Sequence, residues 1–420
     1  MLSNIVQNKK FKQIAILYTS SIIGVLLGIL NSVINTRNLV PELYGDYRYV
    51  QNIITFVSSL LLVGFFVSGS RLLALSKDEE NSRRIRGAMC VILGITYIIL
   101  MFVMSILSII AYYKGQLNLI SIYLVSIPLC GNVLLLNYIN TTAQGDNHIN
   151  RIAIARLLPS LLYCIAAYLV YRYFGATPEL MLALFNGTAI IVLSAIIIST
   201  KPSFKNIKKS LFVLNEENKK YGFNVYIGSM MGVSTQYLAG IALGAYCETN
   251  ADVGFYTLAL SMAHTLATLP ATIGTTFFKK FAVQNRIEKK VIKGSVIITA
   301  LSFLVFSLLI KYVVGVLYDE SYSPVGIYAI YLATAACLNG MGDLFNRYLG
   351  AHGQGKQLRN GAFACGIVVL LGCFILIRFW GINGAILTRV LSSLTYLGFM
   401  LLYYFAYVNK TNQITMTTDE

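Results

Sequence analysis

Charged residues are scarce in this sequence. Only 12% of its 420 residues are Asp, Glu, Lys or Arg, which is about half the share usual in a soluble domain. Hydrophobic residues make up 56%, and a soluble chain this apolar could not cover its surface, so soluble and disordered classes are both excluded. Seven prolines and 33 glycines also exclude collagen-like and low-complexity chains. The class that remains is a polytopic membrane protein.

Acidic residues are rarer than basic ones, with 17 Asp and Glu against 33 Lys and Arg. A basic excess can indicate nucleic-acid binding. Here, however, the basic residues lie in short gaps between apolar stretches, as orientation signals do in membrane proteins, so we predict no nucleic-acid partner. The seven cysteines include no CxxC pair, and we predict no disulfide, metal or cofactor.

Twelve apolar stretches are long enough to cross a bilayer core of about 30 Å as helices. Most Lys and Arg residues fall in alternate gaps, which the positive-inside rule assigns to the cytoplasm. We therefore predict an all-α membrane protein with twelve transmembrane helices and both termini cytoplasmic. The first stretch is too long for a cleaved signal peptide and lacks an Ala-x-Ala site. The stretches lie near residues 13–35, 49–70, 87–112, 118–142, 152–173, 179–199, 223–246, 253–277, 294–316, 325–349, 361–379 and 384–407.

Two of the predicted cytoplasmic loops are basic and contain spaced apolar residues, at 203–215 and 278–291. This composition is compatible with basic helices on the inner membrane surface. Ordinary solvated linkers explain it equally well, and both interpretations stay open at this point.

Short motifs recur between the two halves of the chain at offsets of 206 to 209 positions. This spacing predicts duplication of a six-helix unit, giving two parallel bundles with a site between them. The predicted domains are an N-terminal bundle at 1–200, a basic cytoplasmic linker at 201–222, a C-terminal bundle at 223–408 and a disordered cytoplasmic tail at 409–420. The matched motifs are Ala143-Gln144-Gly145 with Ala351-His352-Gly353, Phe174-Gly175 with Trp380-Gly381, and Gly45-Asp46-Tyr47 with Gly254-Phe255-Tyr256.

Several motifs together resemble those of polysaccharide flippases. They are the run Arg37–Gly45, the run Asp252–Ala259, the pair Leu269-Pro270 and the run Gly381–Ala385. Over residues 10–408 the chain resembles a Wzx-type flippase of the multidrug/oligosaccharidyl-lipid/polysaccharide exporter superfamily. The resemblance implies a MATE-like alternating-access transporter, and no enzyme, in the bacterial inner membrane. Its implied substrates are undecaprenyl-diphosphate-linked repeat units of O-antigen, capsule or exopolysaccharide. Membrane lipid and the polymerase and chain-length proteins of the same pathway are the further implied partners.

A diphosphate head group calls for arginine, whose guanidinium can donate two hydrogen bonds to one phosphate, and amide side chains suit sugars. Arg389 lies five or six residues into the twelfth stretch, where it faces a cavity or snorkels to the outer interface. Arg37 and Arg48 flank the first outer loop, with Asn35 and Asn52 close in sequence. These four are predicted substrate-binding residues, or else interface anchors and interhelical amides.

The tenth and eighth stretches contain the remaining candidates. Asp343 and Arg347 have the i,i+4 spacing that places both on one helix face. We predict Arg347 as a substrate-binding residue and Asp343 as an ion-coupling residue, with a structural ion pair as the alternative. His264 lies near the middle of its stretch, and its range of titration suits proton coupling, although a packing histidine fits as well.

Two other functions compete with the flippase. A MATE-like drug or cation exporter would share the fold, but it should contain acidic cavity residues, and this chain has one acidic residue well inside a predicted span. An O-antigen polymerase would be a membrane enzyme with a large outer loop, and no predicted outer loop here is large. The sequence also contains no HExxH motif, nucleophile–base arrangement or Gly-rich phosphate loop.

Overall fold

The computed structural model describes residues 9–418, and the regular elements in that range are all helical. This confirms the predicted all-α class. The chain divides into two compact units, with the division after Ser234.

The first unit contains eight long or medium helices and a linker helix in the described residues. Apolar runs form the long helices, and short breaks separate them. They are α1 (Lys9–Asn38), α2 (Pro41–Leu61), α3 (Phe65–Leu75), α4 (Glu79–Tyr113), α5 (Leu117–Ser126), α6 (Asn132–Gly145), α7 (Ile149–Phe174), α8 (Pro178–Ser199) and the linker helix α9 (Ile207–Glu217).

The division between the units falls within α10 (Phe223–Tyr246). The second unit continues with α11 (Ala251–Phe281), α12 (Lys289–Leu317), α13 (Pro324–Ala351), α14 (Gly355–Gly372) and α15 (Arg378–Thr418). The last helix thus extends to Thr418 and includes most of the segment predicted as a tail.

Each predicted apolar stretch falls within a helical run of the described chain, if α2 and α3 are taken as one bent run. Seven runs are long and apolar enough to cross a membrane, or eight with the bent pair. The protein is therefore a multi-pass membrane protein, although the count of twelve spans is not confirmed. One reason is that the predicted eleventh and twelfth stretches lie in one continuous run, Gly355–Thr411, which is counted as one span. Gly381, at φ 51°, interrupts the helical backbone within this run.

Local sequence explains several helix starts. Pro41 occupies the first turn of α2. Backbone N–H groups in the first turn have no acceptor within the helix, so the lack of an N–H in proline costs no hydrogen bond there. Asp78 caps α4 by accepting hydrogen bonds from the backbone N–H groups of Glu80 and Asn81. Thr177 caps α8 by accepting from the N–H of Leu180.

Helices α2 and α3 meet at a 56° bend. Gly64 lies at this bend with φ 80°, a left-handed conformation that favours glycine. A Cβ at Gly64 would also lie 2.4 Å from the carbonyl oxygen of Gly222. Only glycine therefore allows both the turn and the close approach of the linker.

The linker 201–222 packs against the first unit at several points. The Asn218 amide donates to the Val63 carbonyl at 3.0 Å and accepts from Ser68 at 3.1 Å. The Arg83 Nε donates to the Lys201 carbonyl at 2.8 Å. Within 203–215, the Ser203 N–H donates to the Arg83 carbonyl at 2.8 Å and Leu214 is buried, so a freely solvated linker is wrong, while a position on the inner membrane surface stays a prediction. The second basic loop differs, since 278–281 ends α11 and 282–288 contains no regular helix, so a surface helix over 278–291 is wrong.

A buried charged corner joins the start of α4 to the α6–α7 connection. The Arg86 side chain is only 5% exposed and contacts Glu79 at 2.6 Å, Asp146 at 3.4 Å and the Thr200 carbonyl at 2.5 Å. Arg151 lies 3.7 Å from the same Asp146 carboxylate. Burial raises the pKa of Asp146 above its ordinary value, although both arginines act to lower it. Desolvation therefore outweighs ion pairing at this carboxylate.

The second unit has an aromatic core at the end of α11 farthest from Ala251. Tyr348 and Tyr404 pack edge to face at 5.1 Å, and Phe281 lies 5.8 Å from Tyr348. The Tyr404 hydroxyl also accepts from the backbone N–H of Ile287 at 3.1 Å. These contacts hold the ends of α11, α13 and α15 together around the loop 282–288.

Candidate functional site

Four of the predicted site residues come together in the second unit. His264 on α11 lies within electrostatic range of both Asp343 on α13 and Arg389 on α15. Asp343 is in turn within range of Arg347, one turn farther along α13. Three helices that are distant in sequence thus contribute charged or titratable groups to one place. We call His264, Asp343, Arg347, Arg389 and Tyr396 the central cluster.

Tyr396 is the member of this cluster that sequence reasoning missed. Its hydroxyl donates to the Asp343 carboxylate at 2.7 Å, and its side chain is also hydrogen-bonded to Asn346. Tyr396 follows Arg389 by seven residues on α15, so both lie on the same helix face. That spacing is the signal that could have identified it. The bond fixes the carboxylate relative to α15.

Arg389 is half-buried and has neighbours on two other helices. It lies within electrostatic range of Tyr256 on α11 and of Cys365 on α14. Tyr256 is itself 2% exposed. Arg389 thus has neighbours on α11 and α14, and its position facing a cavity stays a prediction.

Arg347 is exposed at its tip and packs through its stem against α11. A Cβ built at Gly274 would lie 3.1 Å from Arg347 Cγ and 3.3 Å from Leu344 Cα. The absence of a side chain at Gly274 thus lets α13 approach α11 closely.

An exposed row of hydroxyl side chains runs along α11 beside His264. Its members follow each other at spacings of three or four residues, which places them on one helix face. Each hydroxyl donates to a carbonyl of its own helix, as for Thr272 to Thr268 at 2.6 Å and Thr275 to Ala271 at 2.9 Å. The hydroxyl oxygens can still accept from water or sugar. The row comprises Ser261, Thr265, Thr268, Thr272 and Thr275.

The first unit contains the other four predicted residues. Asn35 is buried and accepts from the Tyr163 hydroxyl, so its amide oxygen is already used across helices. Arg48 is half-buried, lies 6.0 Å from the Tyr44 ring centroid and hydrogen-bonds to Tyr47.

Arg37 is exposed at the end of α1, and Asn52 is buried on α2. Asn35 and Arg48 are connected through tyrosines, because Tyr163 lies within electrostatic range of Tyr47. Arg48 is thus connected to buried Asn35 through Tyr47 and Tyr163.

The chain is similar in fold to solved structures of several transporters. The chain aligns with an inward-facing multidrug resistance MATE family transporter of the MOP superfamily at a TM-score of 0.72 and 14% identity, covering 93% of this chain and 96% of the other. It aligns with the lipid II flippase MurJ in an inward closed conformation at a TM-score of 0.65 and 13% identity, covering 92% and 86%. A MOP superfamily transporter from Pyrococcus furiosus gives a TM-score of 0.59 at 14% identity, covering 95% and 96%. Identities this low establish the MATE-like fold alone.

The family follows from a different comparison. No curated protein matches the sequence. The model of the family described as polysaccharide biosynthesis protein, however, matches residues 11–278, which is well over half of the chain. This match includes α1 to α10 and most of α11. The chain therefore belongs to the polysaccharide biosynthesis protein family and has the fold of MOP superfamily transporters.

Proposed function

We propose that the protein is a flippase that moves undecaprenyl-diphosphate-linked oligosaccharide units across the bacterial inner membrane by alternating access. The observation that carries this proposal is the central cluster of the second unit, in which Arg347 lies within electrostatic range of the Asp343 carboxylate and Arg389 lies within electrostatic range of His264. A net positive site among membrane helices suits an anionic head group. The family and the fold agree with a transporter of lipid-linked sugar.

In this proposal Arg389 and Arg347 bind the diphosphate. An unpaired charge within a membrane span costs several kcal/mol, and an anionic ligand offsets part of that cost. A guanidinium can also contact two phosphate oxygens at once, which orients the head group. The hydroxyl row of α11 then offers acceptors to the sugar units.

Asp343 and His264 are the proposed coupling residues. Binding a proton or a cation at the Asp343 carboxylate would remove the negative charge that lies near Arg347. The cluster would then attract the diphosphate more strongly, since fewer opposing charges remain. Coupling ion and substrate would thereby favour each other's binding.

For the first unit we propose that Arg37 and Arg48 meet the head group at the outer mouth, with both termini in the cytoplasm. Asn35 and Asn52 support these arginines from within the unit. The bond from Tyr163 to Asn35 favours this supporting role over direct contact with sugar.

Deleting the gene in its native host tests the proposal. Radiolabelled lipid-linked repeat units should accumulate on the cytoplasmic face, and finished surface polysaccharide should be lost. Surface glycan capped by single units would contradict the proposal, because flipping would be intact and the protein would act as a polymerase. Normal polysaccharide with increased sensitivity to cationic drugs would instead assign it to drug export.

A further inference from the structure

A groove lies between α3, the start of α4 and the linker helix α9, entirely within the first unit. Its volume is about 310 Å³, at the lower end of the range for ligand sites. The groove lies within the matched residues 11–278, but it contains no residue of the central cluster. We call it the α9 groove. One of its sides is apolar and comprises Leu72, Leu75, Ile85 and Val213.

Two basic side chains, Arg84 and Lys209, line the groove beside this apolar surface. Lys209 is exposed, and it forms no ion pair with an acidic side chain in the described part of the chain. Arg84 uses Nη2 to pair with Glu80, while its Nε has no hydrogen-bond acceptor in the described part of the chain. The groove thus offers cationic donors to an anion of modest size.

The groove lies at the level where a phospholipid head group would be expected. A 35-residue helix such as α4 is about 52 Å long, which exceeds a bilayer core of about 30 Å. The predicted apolar stretch of α4 begins only at residue 87, so Arg84 and Ile85 fall just outside it. Helix α9 also exposes Phe212 and Val213 at 66% and 43%, and exposed apolar groups beside lysines are typical of an interfacial helix.

From this combination we propose that the α9 groove binds the head group of an anionic membrane phospholipid. Lys209 and Arg84 contact the phosphate, and the leucines with Val213 contact the glycerol and the first acyl carbons. Since α9 belongs to the linker that packs on α3, a bound lipid would also hold this linker against the first unit.

The test uses the purified full-length protein in a neutral detergent, with phosphatidylglycerol as the probe and native mass spectrometry to count bound lipids. Lys209→Gln should weaken phosphatidylglycerol binding about fivefold, the effect of one basic group near an anionic lipid. Lys208→Gln is the matched control, because Lys208 is its exposed neighbour on α9 outside the groove. Arg84→Gln provides a second variant, and phosphatidylcholine should bind weakly to all of them.

Equal losses in Lys209→Gln and Lys208→Gln would overturn the proposal, because diffuse surface charge would then explain binding. Unchanged binding in Lys209→Gln and Arg84→Gln would overturn it as well. Displacement of phosphatidylglycerol by inorganic phosphate would identify a free-anion site. Tighter binding of undecaprenyl phosphate than of phosphatidylglycerol would assign the groove to the substrate's carrier lipid. Either result contradicts a phospholipid site.

Discussion

Arg389 shows how one side chain connects the fold to the proposed activity. It has neighbours on α11 and α14, and a charged group in such surroundings is expensive without a partner. Arg389 lies within electrostatic range of His264, and the carboxylate of the cluster, Asp343, already accepts a hydrogen bond from Tyr396. An anionic substrate would complete the electrostatic balance of the cluster.

Replacing Arg389 should therefore affect export more than folding. Arg389→Ala should accumulate in the membrane but lose export of lipid-linked units, and Arg389→Lys should retain part of it because an ammonium cannot donate as a fork. Arg378→Ala is the control, since Arg378 lies exposed on the same helix. Export is measured as surface polysaccharide per unit of protein. Normal export in Arg389→Ala would support snorkelling instead.

The charged corner around Arg86 yields a prediction about stability. Arg86→Ala should destabilise the first unit by about 3 kcal/mol, because it leaves buried acceptors without their donor. Asp146→Asn should leave stability unchanged or raise it, since the pKa of Asp146 is higher in the folded chain than its ordinary value. Because the pKa of Asp146 is raised, the folded chain binds a proton there more readily than the unfolded chain does. Lowering the pH towards that pKa should therefore increase the contribution of Asp146 to the stability of the folded state.

Thermal unfolding of the purified variants, with the exposed Lys77→Ala as control, measures both effects. A destabilised Asp146→Asn variant would show that ion pairing outweighs desolvation at this carboxylate.

Much of the central cluster could be predicted residue by residue. Charged side chains within apolar stretches are rare, so Asp343, His264 and Arg389 stand out in the sequence. Tyr396 could not be identified in this way because tyrosine is common here, with 28 in the chain, and a phenol fits equally well in a core. The convergence of α11, α13 and α15 depends on tertiary packing, which the one-dimensional pattern does not contain.

At the scale of elements, close contacts between helices position the cluster. Gly342 of α13 lies against Tyr396 of α15, and a Cβ at Gly342 would come within 2.5 Å of Tyr396 Cδ1. Gly274 plays the same part between α11 and α13. Small residues at such crossings are typical of membrane helices.

Gly342→Ala should displace the Tyr396 ring and weaken its bond to Asp343, at a cost of about 1–3 kcal/mol for overpacking. Export should fall together with thermal stability. Gly398→Ala on α15 is the control, because a Cβ there meets no atom within 4 Å. Equal export and equal thermal stability in Gly342→Ala and Gly398→Ala would contradict this prediction, because the close contact between Gly342 and Tyr396 would then not be needed for export.

The structures of the two basic loops could not be predicted from the sequence. Hydrophobic spacing left open whether 203–215 is a helix on the inner membrane surface or a solvated linker. The structure places helix α9 at Ile207–Glu217 and buries Leu214 within it. The loop 282–288 has a similar composition, but it contains no regular helix and connects the end of α11 to the start of α12 at Lys289. Composition alone could not separate the two cases.

At the scale of the whole molecule, the distribution of Lys and Arg predicts which loops face the cytoplasm. The positions of the helices alone do not determine this orientation. Reporter fusions after residues 115, 176, 250, 320 and 382 should report the outside, and fusions after 80, 210, 285 and 356 the cytoplasm. The positive-inside rule gives this order. Two or more adjacent reversals would contradict both the orientation and the twelve-span topology.

Reconstituted flipping tests the central claim most directly. Purified protein in liposomes is given an undecaprenyl-diphosphate-linked oligosaccharide on one side, and a sugar-oxidising reagent that cannot cross the membrane reports how much reaches the other side. We expect the wild type and Arg378→Ala to move the lipid and Arg389→Ala to move it at the rate of empty liposomes. Wild-type protein that moves no more lipid than empty liposomes, with an imposed proton or sodium gradient of either direction, would contradict the account.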